Sequence, residues 1–229
     1  MSQLFSKAAD TILRTALVGA VGLAGVVGSV MFAVARSPYV TDQNVTVEQP
    51  VPFSHQHHVG DIGIDCRYCH QTVETSARAG VPSTQVCMNC HRDLWNQSDM
   101  LAPVRDSFRD NRPLLWNRVH DLPDYVYFNH SIHIHQGIGC YSCHGDVSEM
   151  PLLRRDQPLT MQWCLDCHRN PEKHVRPRDL VFVTKPLDEL AARDEVAAAS
   201  PTVSVEKLRE HLAEEFELES KTNCYTCHR

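Results

Sequence analysis

Residues 128–144 read Phe-Asn-His-Ser-Ile-His-Ile-His-Gln-Gly-Ile-Gly-Cys-Tyr-Ser-Cys-His, and the organisation of the chain follows from them. The last five residues form the pattern Cys-x-x-Cys-His, which occurs five times and takes up all ten cysteines. We number the copies motifs 1 to 5 in chain order: Cys66–His70, Cys87–His91, Cys140–His144, Cys164–His168 and Cys224–His228.

Cys-x-x-Cys-His is the attachment pattern of a c-type haem, in which both thiols form thioethers and the histidine becomes the proximal iron ligand. Zinc knuckles combine in pairs, so five copies would leave one over, and zinc does not require a histidine after each second cysteine. A disulfide scaffold explains the even cysteine count but not the histidines. The sequence therefore predicts five covalently bound haem c groups. The predicted attachment and proximal residues are Cys66, Cys69, His70, Cys87, Cys90, His91, Cys140, Cys143, His144, Cys164, Cys167, His168, Cys224, Cys227 and His228.

A second pattern, Phe-x-His-x-x-His, precedes motif 1 at residues 53–58 and motif 3 at residues 128–133. The first histidine of the pattern lies 11 residues before the next cysteine in one block and 10 in the other, which indicates a duplicated dihaem unit. Histidines three apart share one face of a helical turn, so each can reach a different haem. We expect these histidines to be the distal ligands of four haems: His55, His58, His130 and His133.

The fifth distal ligand is less constrained by pattern. His120 lies just before the second block and is favoured, with two histidines and three methionines as alternatives: His174, His211, Met100, Met150 and Met161. His57 and His135 fall outside the repeat and are expected to be solvated or near haem propionates.

Composition agrees with a haem-filled interior. The 194 residues after the first 35 provide about 39 residues per haem, and only 7% of the chain is aromatic. We therefore predict a mostly α-helical and irregular multihaem fold in which porphyrin supplies most of the apolar interior. The net charge of −6 disfavours nucleic acid as a partner. An acidic surface suits a basic electron carrier, although a solvated acidic surface without a partner is equally common.

Residues 15–35 form an uncharged run between Arg14 and Arg36 that is long enough to span a bilayer. We predict an uncleaved anchor with a cytoplasmic N-terminus and the haem domain on the periplasmic side. The alternative is a cleaved signal peptide, because residues 33–35 resemble a signal-peptidase site. Glycines recur at every third position, 19, 22, 25 and 28, and predict close packing against other transmembrane helices. A loosely packed span is the alternative.

The predicted organisation has six parts, with an exposed acidic helix at residues 186–200 and an amphipathic helix after Pro201. The parts are a cytoplasmic N-terminus (1–14), the anchor (15–35), a linker (36–52), the first dihaem block (53–118), the second dihaem block (119–185) and a segment carrying the fifth haem (186–229).

Several stretches of the sequence carry resemblances to two known families. The Phe-Asn-His-x-x-His pattern before Cys-x-x-Cys-His resembles the cytochrome c3 and c7 group. The N-terminal anchor, the stretch Val119-His-Asp-Leu-Pro-Asp-Tyr-Val-Tyr-Phe-Asn-His130, and Met161-Gln-Trp-Cys-Leu-Asp-Cys-His-Arg169 resemble the pentahaem subunit of alternative complex III. That resemblance implies a membrane quinol:electron-acceptor oxidoreductase. Its implied partners are NrfD-like multi-span quinone subunits, a large iron–sulfur subunit of molybdopterin-enzyme type and a monohaem cytochrome c.

The sequence thus favours a non-catalytic electron-transfer subunit that passes electrons from membrane quinol to a periplasmic carrier. One alternative is a self-contained quinol dehydrogenase of the NapC/NrfH type, which feeds a periplasmic reductase. Catalysis at haem iron would need an open distal position, often with Cys-x-x-Cys-Lys attachment, and no such copy is present.

Overall fold

The computed structural model describes residues 6–192 and 204–228. The chain divides into two compact units, of which the first ends at Gln43 and the second begins at Asn44. The second unit contains all five motifs.

The first unit is dominated by helix α1, Lys7–Ala35, which is followed by the short helix α2, Pro38–Thr41. Ser6 begins α1 by accepting a hydrogen bond from the backbone N–H of Ala9. The 29 residues of α1 extend about 43 Å, more than the hydrocarbon thickness of a bilayer. The helix contains a strongly apolar 18-residue stretch and buries none of its side chains. It has the length and composition of a membrane span, a test that an N-terminal signal sequence also passes.

The second unit consists of short helices joined by irregular segments, and its described residues contain isolated β-bridges rather than strands. The prediction of a mostly helical and irregular fold is therefore confirmed. The α-helices are α3 Cys66–Cys69, α4 Thr84–His91, α5 Ala102–Asp110, α6 His130–His135, α7 Tyr141–His144, α8 Met161–Arg169, α9 Leu187–Ala192, α10 Val205–Glu215 and α11 Cys224–Cys227. A π-helical turn spans Gln56–Asp61, and 3-10 turns span Asp99–Leu101, Val147–Glu149, Pro171–Lys173 and Arg178–Leu180.

Buried apolar side chains form three small clusters rather than one continuous core. The largest cluster joins α9 and α10 to the segment after motif 4: Val175, Leu187, Leu190, Leu208, Leu212 and Phe216. The predicted amphipathic helix is confirmed as α10, because Leu208, Leu212 and Phe216 all lie in this cluster.

The prediction of an exposed helix at residues 186–200 is wrong for its first part. Helix α9 is 1% exposed at Leu190 and 2% at Leu187, because both leucines pack against α10. The acidic residues of α9 are compatible with this burial, since they occupy the other face of a two-turn helix. Residues 193–200 lie outside the described residues.

The second half of the predicted linker, residues 44–52, packs within the second unit. The backbone N–H of Asn44 donates to the carbonyl of Arg155, and the Gln49 side chain exchanges two hydrogen bonds with the backbone of Asn117. Val51 is buried in a cluster with residues of α4 and α5. These contacts fix the direction in which the chain enters the first Phe-x-His-x-x-His segment.

Candidate haem-binding site

The first Phe-x-His-x-x-His segment places its two imidazoles around one phenyl ring. Phe53 stacks on His58 with ring centroids 4.4 Å apart and meets His55 edge-on at 4.9 Å. The Nδ1 atom of His58 lies 2.8 Å from the carbonyl oxygen of Ser54, one helical turn earlier. The phenyl ring and the carbonyl therefore fix both the position and the orientation of the His58 ring.

The second segment repeats this geometry closely. Phe128 stacks on His133 at 4.5 Å and meets His130 edge-on at 4.8 Å. The Nδ1 atom of His133 lies 2.7 Å from the carbonyl oxygen of Asn129. The duplication predicted from sequence spacing thus extends to ring contacts. Phe53 and Phe128 position the two histidine rings of their segments, a role that the sequence did not assign to them. Their constant place two residues before the first histidine of each segment could have indicated it.

Three of the predicted distal histidines face the proximal histidine of a motif. Metal–imidazole bonds are about 2 Å long, so two imidazoles on opposite sides of one metal ion have centroids roughly 6 Å apart. The observed pairs are His58 with His91 at 6.1 Å, His130 with His144 at 6.4 Å, and His133 with His168 at 6.1 Å. This spacing fits an iron held between the two rings of each pair.

Backbone carbonyls orient the proximal histidines of four motifs. A carbonyl oxygen can only accept a hydrogen bond, so a ring nitrogen facing it must carry the proton, and the other nitrogen is left free for a metal. The Nδ1 contacts are His70 with Gly80 at 2.7 Å, His91 with Leu94 at 3.1 Å, His168 with Lys221 at 3.0 Å and His228 with Tyr125 at 3.1 Å. These four rings are therefore prepared to bind iron through Nε2.

His55, His70, His120 and His144 form a group between motifs 1 and 3. Burial, followed by the neighbouring His70, lowers the pKa of His55 to about 4. Burial also lowers the pKa of His120 to about 4 and that of His144 well below its usual range. Two buried ring nitrogens here have no hydrogen-bond partner, Nδ1 of His55 and Nε2 of His120. Neutral imidazoles with unoccupied nitrogens have the chemistry that haem iron requires.

His120 lies beside motif 3 rather than motif 5. Its ring centroid is 4.3 Å from that of His144, whereas the ring contact of His228 is with Tyr125 at 5.7 Å. Among the alternatives for the fifth ligand, Met100, Met161 and His211 are exposed, Met150 is buried and His174 is half-buried. Among the described residues, neither His174 nor His211 makes a ring contact with His228. His120 stays a prediction as the fifth distal ligand.

The two histidines outside the repeat have other surroundings. His57 stacks on Trp95 with centroids 5.8 Å apart and lies 3.4 Å from the carboxylate of Asp61. His135 is exposed at the end of α6. Neither ring faces a proximal histidine in the contacts of the described residues, which agrees with their exclusion from the predicted ligand set.

Each motif places its two cysteines three residues apart on one helical turn. Burial raises the pKa of both thiols of motif 3, Cys140 and Cys143, to about 12, with neighbouring thiols adding to the effect. Within residues 6–192 and 204–228, no three His, Cys, Asp or Glu side chains gather around a point that could hold one metal ion. The facing imidazole pairs suit a cofactor that brings its own equatorial ligands and takes two from the protein.

Two residues that the sequence analysis did not single out organise the segment after motif 4. The buried guanidinium of Arg176 donates through Nη1 to the carbonyls of Leu180, Val183 and Lys185. The ammonium group of Lys185 in turn binds the carboxylates of Asp146 and Glu149, which follow motif 3. No sequence pattern marks these residues, because their partners are backbone carbonyls or lie more than 35 positions away.

The sequence of the chain is similar to those of known multihaem cytochromes. Residues 32–111, which include motifs 1 and 2, match the model of the class III cytochrome c family. The chain is also 31% identical over 149 residues to the menaquinone reductase multiheme cytochrome c subunit of Nitratidesulfovibrio vulgaris strain Hildenborough. That match covers 56% of this chain and 70% of the relative. The predicted likeness to the cytochrome c3 and c7 group is confirmed, and the chain belongs to the class III family of multihaem c-type cytochromes.

Proposed function

We propose that this chain is the five-haem electron-transfer subunit of a membrane quinol:electron-acceptor oxidoreductase. The observation that carries the proposal is the set of three facing imidazole pairs at 6.1–6.4 Å, each joining a motif to a Phe-x-His-x-x-His segment. When bound, each haem supplies a one-electron Fe(III)/Fe(II) couple, so the two electrons of a quinol must pass singly. Iron with two imidazole ligands has no position open for a substrate, which favours relay over catalysis.

The residues that hold the haems follow from the pattern and the geometry. Both cysteines of each motif attach one haem, and the histidine after them is the proximal ligand. His58, His130 and His133 supply the opposite ligands at motifs 2, 3 and 4, and His55 supplies that at motif 1, whose His70 is a principal electrostatic neighbour.

The quinone side of the function rests on the relatives. The subunit from N. vulgaris belongs, by its name, to a menaquinone reductase, and the sequence motifs resemble the pentahaem subunit of alternative complex III. We assign this chain to a complex of that kind. Its proposed partners are NrfD-like quinone subunits, a large iron–sulfur subunit, a monohaem cytochrome c and a periplasmic carrier.

Helix α1 is the proposed membrane anchor, with its N-terminus in the cytoplasm. The glycines at positions 19, 22, 25 and 28 recur every third residue along this helix, and such small residues let another helix approach closely. A closely packed partner helix suits a multi-subunit quinol oxidoreductase better than a lone tethered dehydrogenase.

The proposal is tested by isolating the tagged chain from native membranes in mild detergent and identifying its partners by mass spectrometry. Intact-mass measurement of the same sample counts the attached haems, and five are expected. Gly25→Leu is expected to lose the multi-span partners, whereas Val26→Leu on the same helix retains them. Recovery of a single periplasmic reductase would favour the NapC/NrfH-type alternative, and a chain that co-purifies with nothing would refute the complex.

A further inference from the structure

The two dihaem blocks contact each other reciprocally. Helix α6 of the second block begins against the segment after motif 1, where the backbone N–H groups of His130 and Ser131 donate to the carbonyls of Ala77 and Ser76. The π-helical turn of the first block packs against the segment after motif 3, where the N–H of Gln56 donates to the carbonyl of Met150. Each distal-ligand segment thus packs on the other block's first motif, so motifs 1 and 3 meet at the centre.

The dipeptide Val181-Phe182 contacts both motif 1 and motif 3. The backbone N–H of Cys140 donates to the carbonyl of Val181 at 3.0 Å, and the thiol of Cys66 lies 3.8 Å from the carbonyl of Phe182. Motif 1 is therefore adjacent to motif 3.

Motif 2 adjoins motif 1 on the side away from this junction. The side-chain amide of Asn89, inside motif 2, donates to the hydroxyl of Tyr68, inside motif 1, at 3.1 Å. His58, which precedes motif 1, also faces His91 of motif 2, with ring centroids 6.1 Å apart. The first block thus extends outward from motif 1 to motif 2.

Motif 4 lies between motifs 3 and 5. His130 and His133 lie one turn apart on α6, and their rings face His144 of motif 3 at 6.4 Å and His168 of motif 4 at 6.1 Å. The His168 ring of motif 4 also bonds the carbonyl of Lys221, in the segment that leads into motif 5. The second block thus extends outward through motif 4, and motif 5 is added beyond it.

Solvent exposure of the thiols agrees with two outer motifs and a covered centre. Cys90 of motif 2 and Cys224 of motif 5 are the two exposed cysteines, and the other eight are half-buried. The neighbouring side chains follow the same trend, because Leu94 is 61% exposed beside motif 2 and Tyr225 is 85% exposed inside motif 5.

We infer that the five motifs follow one another in space in the order 2, 1, 3, 4, 5, with motifs 2 and 5 at the two ends. This order differs from the order along the chain, and it rests on the proposed function for its five haems. Each transfer between neighbours oxidises one ferrous haem and reduces one ferric haem, with no bond made or broken. Quinol is the electron source and a one-electron carrier the acceptor, and the end motifs are the sites of exchange with redox partners.

The order is testable by light-driven electron injection into the full-length, haem-loaded chain. All ten native cysteines are consumed by haem attachment, so Leu94→Cys or Tyr225→Cys provides the single free thiol for a ruthenium photosensitiser beside motif 2 or motif 5. In each labelled chain, one distal histidine is then replaced by methionine to mark a single haem. His58→Met marks motif 2, His130→Met marks motif 3 and His133→Met marks motif 4. Methionine raises the potential of its haem, so the marked haem collects the electron and its reduction time reports how far the electron travelled.

From residue 94, we expect reduction of the marked haem to be fastest at motif 2 and slowest at motif 4. From residue 225, the ranking reverses, and the motif 3 mark is intermediate from both labels. The same ranking from both labels, or a motif 3 mark that is slower than both others, would overturn the order. Intact mass is measured first, and fewer than five haems in the unmodified chain would refute the proposed function itself rather than the order alone.

A second measurement does not depend on variants. Cryo-electron microscopy of the unmodified chain in its native complex locates the five irons, each traced to its motif. Irons of motifs 2 and 5 at the two ends and that of motif 3 in the middle would support the order. An iron of motif 2 or motif 5 in an internal position would overturn it.

Discussion

Replacing Arg176 by methionine should loosen the junction between motifs 1 and 3 without touching a haem ligand. Arg176 is 3% exposed, and its Nη1 atom donates to three carbonyls at 3.0, 3.1 and 3.3 Å. One Nη atom carries two hydrogens, so the three acceptors share about two full hydrogen bonds. Hydrogen bonds from a charged group contribute about 1.5–3 kcal/mol each, so we expect a loss of about 3–6 kcal/mol in the free energy of unfolding.

The assay is urea unfolding of the haem-loaded chain, followed by circular dichroism and by haem absorbance. Arg178→Met is the matched control, because Arg178 is exposed and stacks on Phe216 with its guanidinium carbon 4.8 Å from the ring centre. Loss of that cation–π contact should cost about 0.5–1 kcal/mol. If Arg176→Met lost no more stability than Arg178→Met, the reasoning about the buried guanidinium would be refuted.

Three further predictions address the ligands, a glycine and the haem ends. His133→Met should raise the midpoint potential of one haem in a potentiometric titration, while the exposed His135→Met leaves all potentials unchanged, and a shift in several haems would contradict the assigned pair. Gly145→Ala should cost about 1–3 kcal/mol in urea unfolding, because φ is +67° and the added Cβ would collide with Asp156. Gly63→Ala, at φ +80° in open space, should cost less, and equal losses would exclude the collision as the cause. Replacing both cysteines of motif 5 by alanine should remove one haem by intact mass and leave a folded chain with four, whereas the same change in motif 3 should prevent folding.

Local patterns accounted for the ligand geometry because the forces that set it are local. Three-residue spacing brings His130 and His133 to one face of α6, and the carbonyl of Asn129 that orients His133 lies one turn earlier. The amphipathic spacing of α10 was likewise sufficient to place Leu208 and Leu212 in the apolar cluster. In each case, the partner lies within one or two helical turns or in a periodic stripe.

Long-range pairings were beyond the reach of the sequence. Phe182 and Cys66 lie 116 positions apart, and their contact leaves no periodic trace in either segment. The burial of Leu187 and Leu190 was not predicted because the acidic residues of α9 indicate a solvent-exposed helix. The contact of its opposite face with α10 depends on tertiary packing. The same reason explains His120, whose place beside His144 depends on how residues 119–121 meet Arg155 rather than on spacing to a motif.

Helix α6 carries the facing partners of two different motifs within a single turn, and Phe128 contacts both rings. In the proposed relay, the six residues of α6 would therefore carry one ligand for motif 3 and one for motif 4. A displacement of this helix would alter both iron environments at once, so electron exchange between these two sites would depend on the position of a single structural element.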